Sequence, residues 1–129
     1  MAFSLAVQKG AEQVWIIGGG GGRVDHLFGI RALFEREVYP YRWTTDTADI
    51  HCIDRDRNYK LKIKSEKISL ISVFPLGEGQ WEAKSDGLKW PLDGLKWERE
   101  LFSVSNEATF GDFSITAIKG RFMIILPLW

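Results

Sequence analysis

Five consecutive glycines, Gly18 to Gly22, stand between a short apolar run, Val14 to Ile17, and a segment that carries Arg23, Asp25 and His26. Residues without a Cβ, placed between a strand and a helix start, let backbone N–H groups close on an anion at the positive end of the helix. Gly21 and Gly22 are therefore candidate phosphate-binding positions. Arg23 can grip phosphate oxygens through its bidentate fork, and Asp25 can hold Mg²⁺ or orient Arg23. The stretch is not a P-loop, because Arg23 and Val24 stand where that motif needs Lys followed by Ser or Thr. It does not complete the dinucleotide fingerprint either, since the sixth position from Gly18 is Arg23. A tight loop whose Asp25 caps the helix is the plainer alternative.

A second constellation lies downstream. Gly87-Leu88-Lys89-Trp90 recurs as Gly94-Leu95-Lys96-Trp97, with Pro91 and Asp93-Gly94 making a turn between the two tryptophans. One indole can offer a flat face to a planar, cationic heterocycle. Core packing is the alternative for either. Ser103, Ser105 and Asn106 supply short polar groups able to bond ring nitrogens or amines, or else form an ordinary turn. Elsewhere, Lys60, Lys62 and Lys64 alternate with Leu61 and Ile63 as on a solvated strand face, and Asp54 to Arg57 reads as a charged turn. His51 and Cys52 are neighbours in a predicted strand, where they point to opposite faces and make a poor dyad.

The elements that must position these groups fall into two portions. Leu5, Ala6 and Gly10 suit a helix ending at a glycine cap. Val14 to Ile17 reads as a strand buried on both faces of a parallel sheet, and Leu27, Ile30, Leu33 and Phe34 repeat at helical spacing. From Tyr41 the period becomes two. Strands are predicted at 42–44, 49–53, 59–64 and 68–74, and around Trp90, 96–102, 113–118 and 122–126, with turns between them. The expected fold is an α/β fragment of strand, glycine loop and helix, followed by an antiparallel β-sandwich, mostly β overall. Its two parts are residues 1–57 and residues 58–129. One strand-loop-helix unit cannot make a doubly wound sheet. It is expected either to complete its sheet against another chain or to be the end of a larger domain.

Composition narrows the function classes. The chain has 129 residues, 17 Lys and Arg against 17 Asp and Glu, and 45% hydrophobic residues. A chain of this size buries roughly two thirds of its unfolded surface, so a core is expected without staples. Charge neutrality removes the usual argument for a nucleic-acid partner. The single cysteine, Cys52, with only His26 and His51 beside it, allows neither a disulfide framework nor a closed zinc set. With no signal-like start and no long apolar run, the expectation is a cytoplasmic protein that does not span a membrane.

Taken together, the motifs resemble the thiamine pyrophosphokinase (thiamine diphosphokinase) family. The glycine-rich G-x-x-G-G-R-x-D-H segment is present as Gly18 to His26. An apolar I-S-L-I segment is present at Ile68 to Leu76, G-L-K-W-P-L at Gly87 to Leu92, and S-x-S-N-E at Ser103 to Glu107. The resemblance implies an N-terminal α/β domain, a C-terminal β-sandwich, and a homodimer whose cleft lies between the α/β domain of one subunit and the sandwich of the other. It implies transfer of a pyrophosphoryl group from ATP to thiamine with release of AMP, Mg²⁺ being the metal. By carry-over, Arg23 contacts the triphosphate with Gly21 and Gly22, and Asp25 places Mg²⁺. Trp90 stacks on thiamine, Ser103 and Asn106 bond its aminopyrimidine, and Ser105 shapes the same turn.

The chain departs from the family in lacking the upstream D-G-D-x-D-S and K-D-x-T-D motifs, and Gly29 stands where the family has Asn. A truncated form with little activity alone is the leading expectation. A non-catalytic module that binds thiamine or thiamine diphosphate is the second, and a ligand-free obligate dimer the third.

Overall fold

The computed structural model describes residues 2–64 and 70–128. A short helix α1 (Ala2–Gln8) leads into strand β1 (Trp15–Ile17), the glycine loop and helix α2 (Val24–Leu33). Strands β2 (Arg42–Thr44), β3 (Ala48–Asp54), β4 (Lys60–Ile63), β5 (Leu70–Leu76), β6 (Glu82–Asp86), β7 (Ser103–Glu107), β8 (Phe113–Lys119) and β9 (Arg121–Pro127) follow. The expected class is observed: an α/β portion, then antiparallel strands in two packed sheets, mostly β.

Six strands form one sheet in the order β1-β2-β3-β9-β5-β7, and three form a second in the order β4-β8-β6. Among the described residues, only β1 with β2 is parallel, and every other pairing is antiparallel. The large sheet runs across the boundary at residue 57, because β3 pairs along its whole length with β9.

Alternation of side chains on β3 and β9 sends two sets of apolar residues to opposite faces. Ile53, Phe122, Ile124 and Leu126 join Ile71, Val73, Phe113 and Ile115 between the two sheets. Ile50, Cys52 and Met123 join Trp43, Leu76 and Phe34 under α2. Arg121 fixes the end of α2 on this second face. Its guanidinium donates to the carbonyls of Phe34 and Arg36 at 2.8 Å each and to Asp54 at 3.1 Å, and it lies 3.6 Å over the Tyr39 ring. A basic group at carbonyls just past a helix C-terminus satisfies acceptors the helix leaves open. Gly120, at φ +77°, turns the chain from the small sheet into the large one, and a Cβ there would meet the Trp81 ring at 2.5 Å.

Four readings change. β1 is an edge strand with Trp15 44% and Ile17 74% exposed, so it is not buried on both faces. Trp90 and residues 96–102 lie outside the strands, in a long connection turned at Leu92 to Leu95 and again at Glu98 to Leu101. Two strands were hidden in polar sequence: Glu82–Asp86, and Ser103–Glu107, whose Ser and Asn content reads as a turn. Of the predicted strand at 68–74, Ile68 and Ser69 lie outside the described residues.

Candidate functional site

The glycine loop hangs from the edge of the large sheet. Gly18 N–H donates to the Thr44 carbonyl at 2.7 Å, and the Trp43 indole donates to the Gly18 carbonyl at 2.7 Å. Gly20 runs so close to Thr45 that a Cβ would sit 2.4 Å from its side chain. The loop delivers Arg23 as the N-cap of α2, in extended conformation and with no side-chain capping bond. Asp25 therefore does not cap the helix. It accepts two bonds from Arg23, at 3.0 Å to Nε and 2.5 Å to the terminal nitrogen, in an exposed pair. Beside it lies a cleft of about 470 Å³ between α1 and α2, lined by Phe3, Ile16, Asp25, His26 and Ile30 among others.

Trp90 occupies a different place. Its side chain is 53% exposed, whereas Trp97 is 8% exposed and packs edge-on against Phe122 at 5.1 Å between ring centroids. The Trp97 indole N–H has no partner among the described residues. Trp90 is held through its backbone by Asn106, which is 1% exposed. Asn106 Nδ2 donates to the Trp90 carbonyl at 2.7 Å, and Trp90 N–H donates to Asn106 Oδ1 at 3.2 Å. The same Oδ1 accepts the Glu107 N–H at 2.9 Å, and Nδ2 reaches Ser103 Oγ at 3.4 Å. These four contacts use the capacity of the carboxamide. Ser103 is half-buried behind Asn106. Ser105 is exposed at φ +57°, beside a bulge in the β5–β7 pairing, with its N–H bonded to Ser72 Oγ at 3.2 Å.

The two half-sites lie on opposite edges of one sheet. β1, which carries the glycine loop, is five strand positions from β7, which carries Ser103, Ser105 and Asn106. At about 4.8 Å per strand this is a separation of about 24 Å. Arg23 and Asp25 are thus brought together, as are Trp90, Ser103 and Asn106, but the two groups are not brought to each other within one chain.

Sequence reading missed three groups here. Lys89 and Glu107 flank Trp90 and Asn106, and their signal was position inside the two motifs. On the face of β1–β3 opposite α2, Asp49 accepts a bidentate pair from Arg42 at 2.9 and 2.6 Å, the Thr44 hydroxyl at 2.8 Å, and contact from His51 Nε2 at 3.0 Å. Arg42 also lies 4.3 Å over the Trp15 ring. Burial opposes the Asp49 charge, but the bonds from Arg42, Thr44 and His51 prevail and hold its pKa at about 2. Burial pushes His51 down, only partly offset by Asp49, and pushes the Cys52 thiol up to about 12. Arg42-x-Thr44 and Asp49-x-His51 carry the period-two signal of this cluster. Among the described residues, no three His, Cys, Asp or Glu side chains group as metal ligands, and no helix is long and apolar enough to cross a membrane.

Residues 58–120 match the family model described as thiamin pyrophosphokinase, vitamin B1 binding domain. The chain is similar to the solved thiamine pyrophosphokinase of Bacillus subtilis, with 25% identity and a TM-score of 0.76 over 99% of this chain and 61% of that one. The enzyme from Geobacillus thermodenitrificans shares 22% identity and a TM-score of 0.69, over 99% of this chain and 60% of that one. The enzyme from Candida albicans shares 15% and 0.65, over 91% and 44%. The latter two likenesses are of fold. The chain thus spans about three fifths of the length of the bacterial relatives. A comparison with curated protein sequences gave no match.

Proposed function

We propose that this chain, whose residues 58–120 match the thiamin pyrophosphokinase vitamin B1 binding domain model, binds thiamine on the open face of Trp90. The reaction it serves is transfer of a pyrophosphoryl group from ATP to the hydroxyethyl oxygen of thiamine, giving thiamine diphosphate and AMP. The observation that carries the reading is the contrast between the two repeats: Trp97 is core, while Trp90 is exposed and rigidly held by Asn106. An electron-rich ring fixed in position and open to solvent suits a thiazolium cation. Asn106 acts in this reading as a positioning residue, since its carboxamide is turned to the Trp90 backbone. The hydroxyls of Ser103 and Ser105 are the nearer candidates for the aminopyrimidine.

Residues 1–57 supply the anion-contacting part, residues 58–129 the vitamin-contacting part. Gly21, Gly22 and Arg23 are the groups for the ATP phosphates, and Arg23 must leave Asp25 to serve them. An exposed ion pair yields easily. The donors present do not fit Mg²⁺, because Asp25 stands in no group of three or more His, Cys, Asp or Glu side chains among the described residues. No step of this reading runs through the metal, and little turnover is expected from this chain alone. A homodimer that sets the glycine loop of one copy against Trp90 of the other answers the separation of about 24 Å across the sheet. A cytoplasmic setting accords with the free, buried Cys52 thiol.

Calorimetric titration of thiamine and thiamine diphosphate into the wild-type chain and Trp90→Ala tests the binding claim, and failure of the substitution to weaken binding overturns it. Sedimentation at equilibrium tests the dimer. The closed Arg23–Asp25 pair also favours a second reading, a non-catalytic thiamine-binding module. Measurable AMP release from ATP and thiamine by the purified chain excludes that second reading.

A further inference from the structure

Lys89 lies across the face of Trp90, its ammonium 4.6 Å from the ring centroid and 3.3 Å from the Glu107 carboxylate. The framework around this ammonium is fixed. Asn106 pins the Trp90 backbone on both sides, and Lys89 N–H donates to the Glu107 carbonyl at 2.8 Å, which locks the two segments in register. The ammonium itself is not fixed, because it sits on a flexible stem and the side chains of the pair are 47% and 35% exposed. An aromatic face and a carboxylate converging on one positive charge make a cation site, and here the chain fills it with its own lysine.

We propose that Lys89 is an internal occupant of the cation position, displaced when a ligand carrying a quaternary ring nitrogen stacks on Trp90, and that Glu107 then serves as the counter-charge of that ligand. This rests on the reading of Trp90 as the thiamine face and names what confers charge specificity there. The exchange conserves charge: one cation enters, and the ammonium swings into water, where it is fully hydrated. Displacement is easy because exposed ion pairs and exposed ammonium–indole contacts are both weak. A neutral ring of the same shape gains the stacking surface but offers Glu107 nothing in place of Lys89. Glu107 and Lys89 thus bias the face toward cationic rings, and Lys89 sets how strongly the ligand must compete.

Thiamine and its uncharged analogue, in which a thiophene replaces the thiazolium, are titrated into the wild-type chain, Lys89→Met, Glu107→Gln and Trp90→Ala. Lys89→Met is expected to bind both thiamine and the neutral analogue about fivefold more tightly, because either ring must clear the ammonium from the indole face, whereas Glu107→Gln is expected to bind thiamine about fivefold more weakly and the neutral analogue no more weakly. In the free wild-type chain the Lys89 ε-methylene protons are expected upfield of an ordinary lysine, shielded by the indole, and to return to the ordinary position as thiamine saturates. The proposal is overturned if Lys89→Met leaves thiamine affinity unchanged or lowers it, or if the Lys89 signals stay shielded with thiamine bound. If Trp90→Ala abolishes binding while Lys89→Met does nothing, displacement alone fails. If Trp90→Ala has no effect, or if neither wild type nor Lys89→Met binds thiamine, the site reading fails and the displacement with it.

Discussion

Asn106 grips Trp90 by both of its backbone polar groups, donating to the carbonyl at 2.7 Å and accepting from the N–H at 3.2 Å, from a position 1% exposed to solvent. The side chain of one strand residue thereby substitutes for a missing strand. It supplies the loop at Trp90 with the pair of bonds that a neighbouring backbone would supply in a sheet, and leaves the indole outside.

Replacing Asn106 should therefore affect both stability and binding. Asn106→Ala leaves buried groups without partners and is expected to cost about 2–3 kcal/mol in urea denaturation. It should weaken thiamine as well, since the loop carrying Trp90 loses its anchor. Asn106→Asp keeps the acceptor but cannot donate to the Trp90 carbonyl, so an intermediate loss is expected. Unchanged stability in both variants would show that the loop is held by something else.

The two tryptophans of the repeat should separate cleanly. Trp97→Ala removes a buried indole packed on Phe122 and is expected to cost about 3–5 kcal/mol. Trp90→Ala should change stability by about 1 kcal/mol or less, because its ring is half in water, while removing the thiamine response. The paired measurements are chemical denaturation and ligand titration. A reversed order would exchange the roles assigned to the two indoles.

Acid should unfold the chain in two steps. Folding lowers the His51 pKa, so the unfolded chain takes up the proton first and stability falls as pH drops below about 6.5. Folding also lowers Asp49 from 3.8 to about 2, so its contribution is complete above pH 4 and is lost as pH falls from there toward 2. That shift corresponds to about 2 kcal/mol. Melting temperatures from pH 7.5 to 2.5 test this, with Asp49→Asn expected to remove the lower step.

Cys52 should be chemically silent in the native chain. Its thiol is 3% exposed and burial raises its pKa to about 12, so alkylation at pH 8 should proceed only through unfolding. The unfolded thiol ionises near pH 9 and the folded one does not, so stability declines as pH rises past 9. Rapid labelling of the folded chain at pH 8 would contradict the position of Cys52 under α2.

Much of this was legible in sequence because the signals were local. The glycine run between an apolar strand and a helical repeat fixes a strand, a loop and a helix by conformational freedom and periodicity alone. The alternation in Lys60 to Ile63 and in Phe113 to Lys119 names strands without reference to any neighbour. Ser103 to Glu107 was harder: its residues favour turns on their own, and it became a strand only because β5 offered an edge and Asn106 found buried partners in Trp90 and Glu107. Propensity is a weak prior where tertiary bonds decide.

By itself, the sequence determined the opening strand, glycine loop and helix, the mostly β class, and the two clusters of candidate residues, since each depends on neighbours along the chain. Tertiary structure decided which tryptophan is open and which is core, since the repeated motif is identical at both. It decided that Asn106 acts on Trp90, and that Lys89 and Glu107 converge beside the indole. It also placed the glycine loop and Trp90 at opposite edges of one sheet, because strand order arises from long-range pairing of β3 and β5 with β9, which no local pattern encodes.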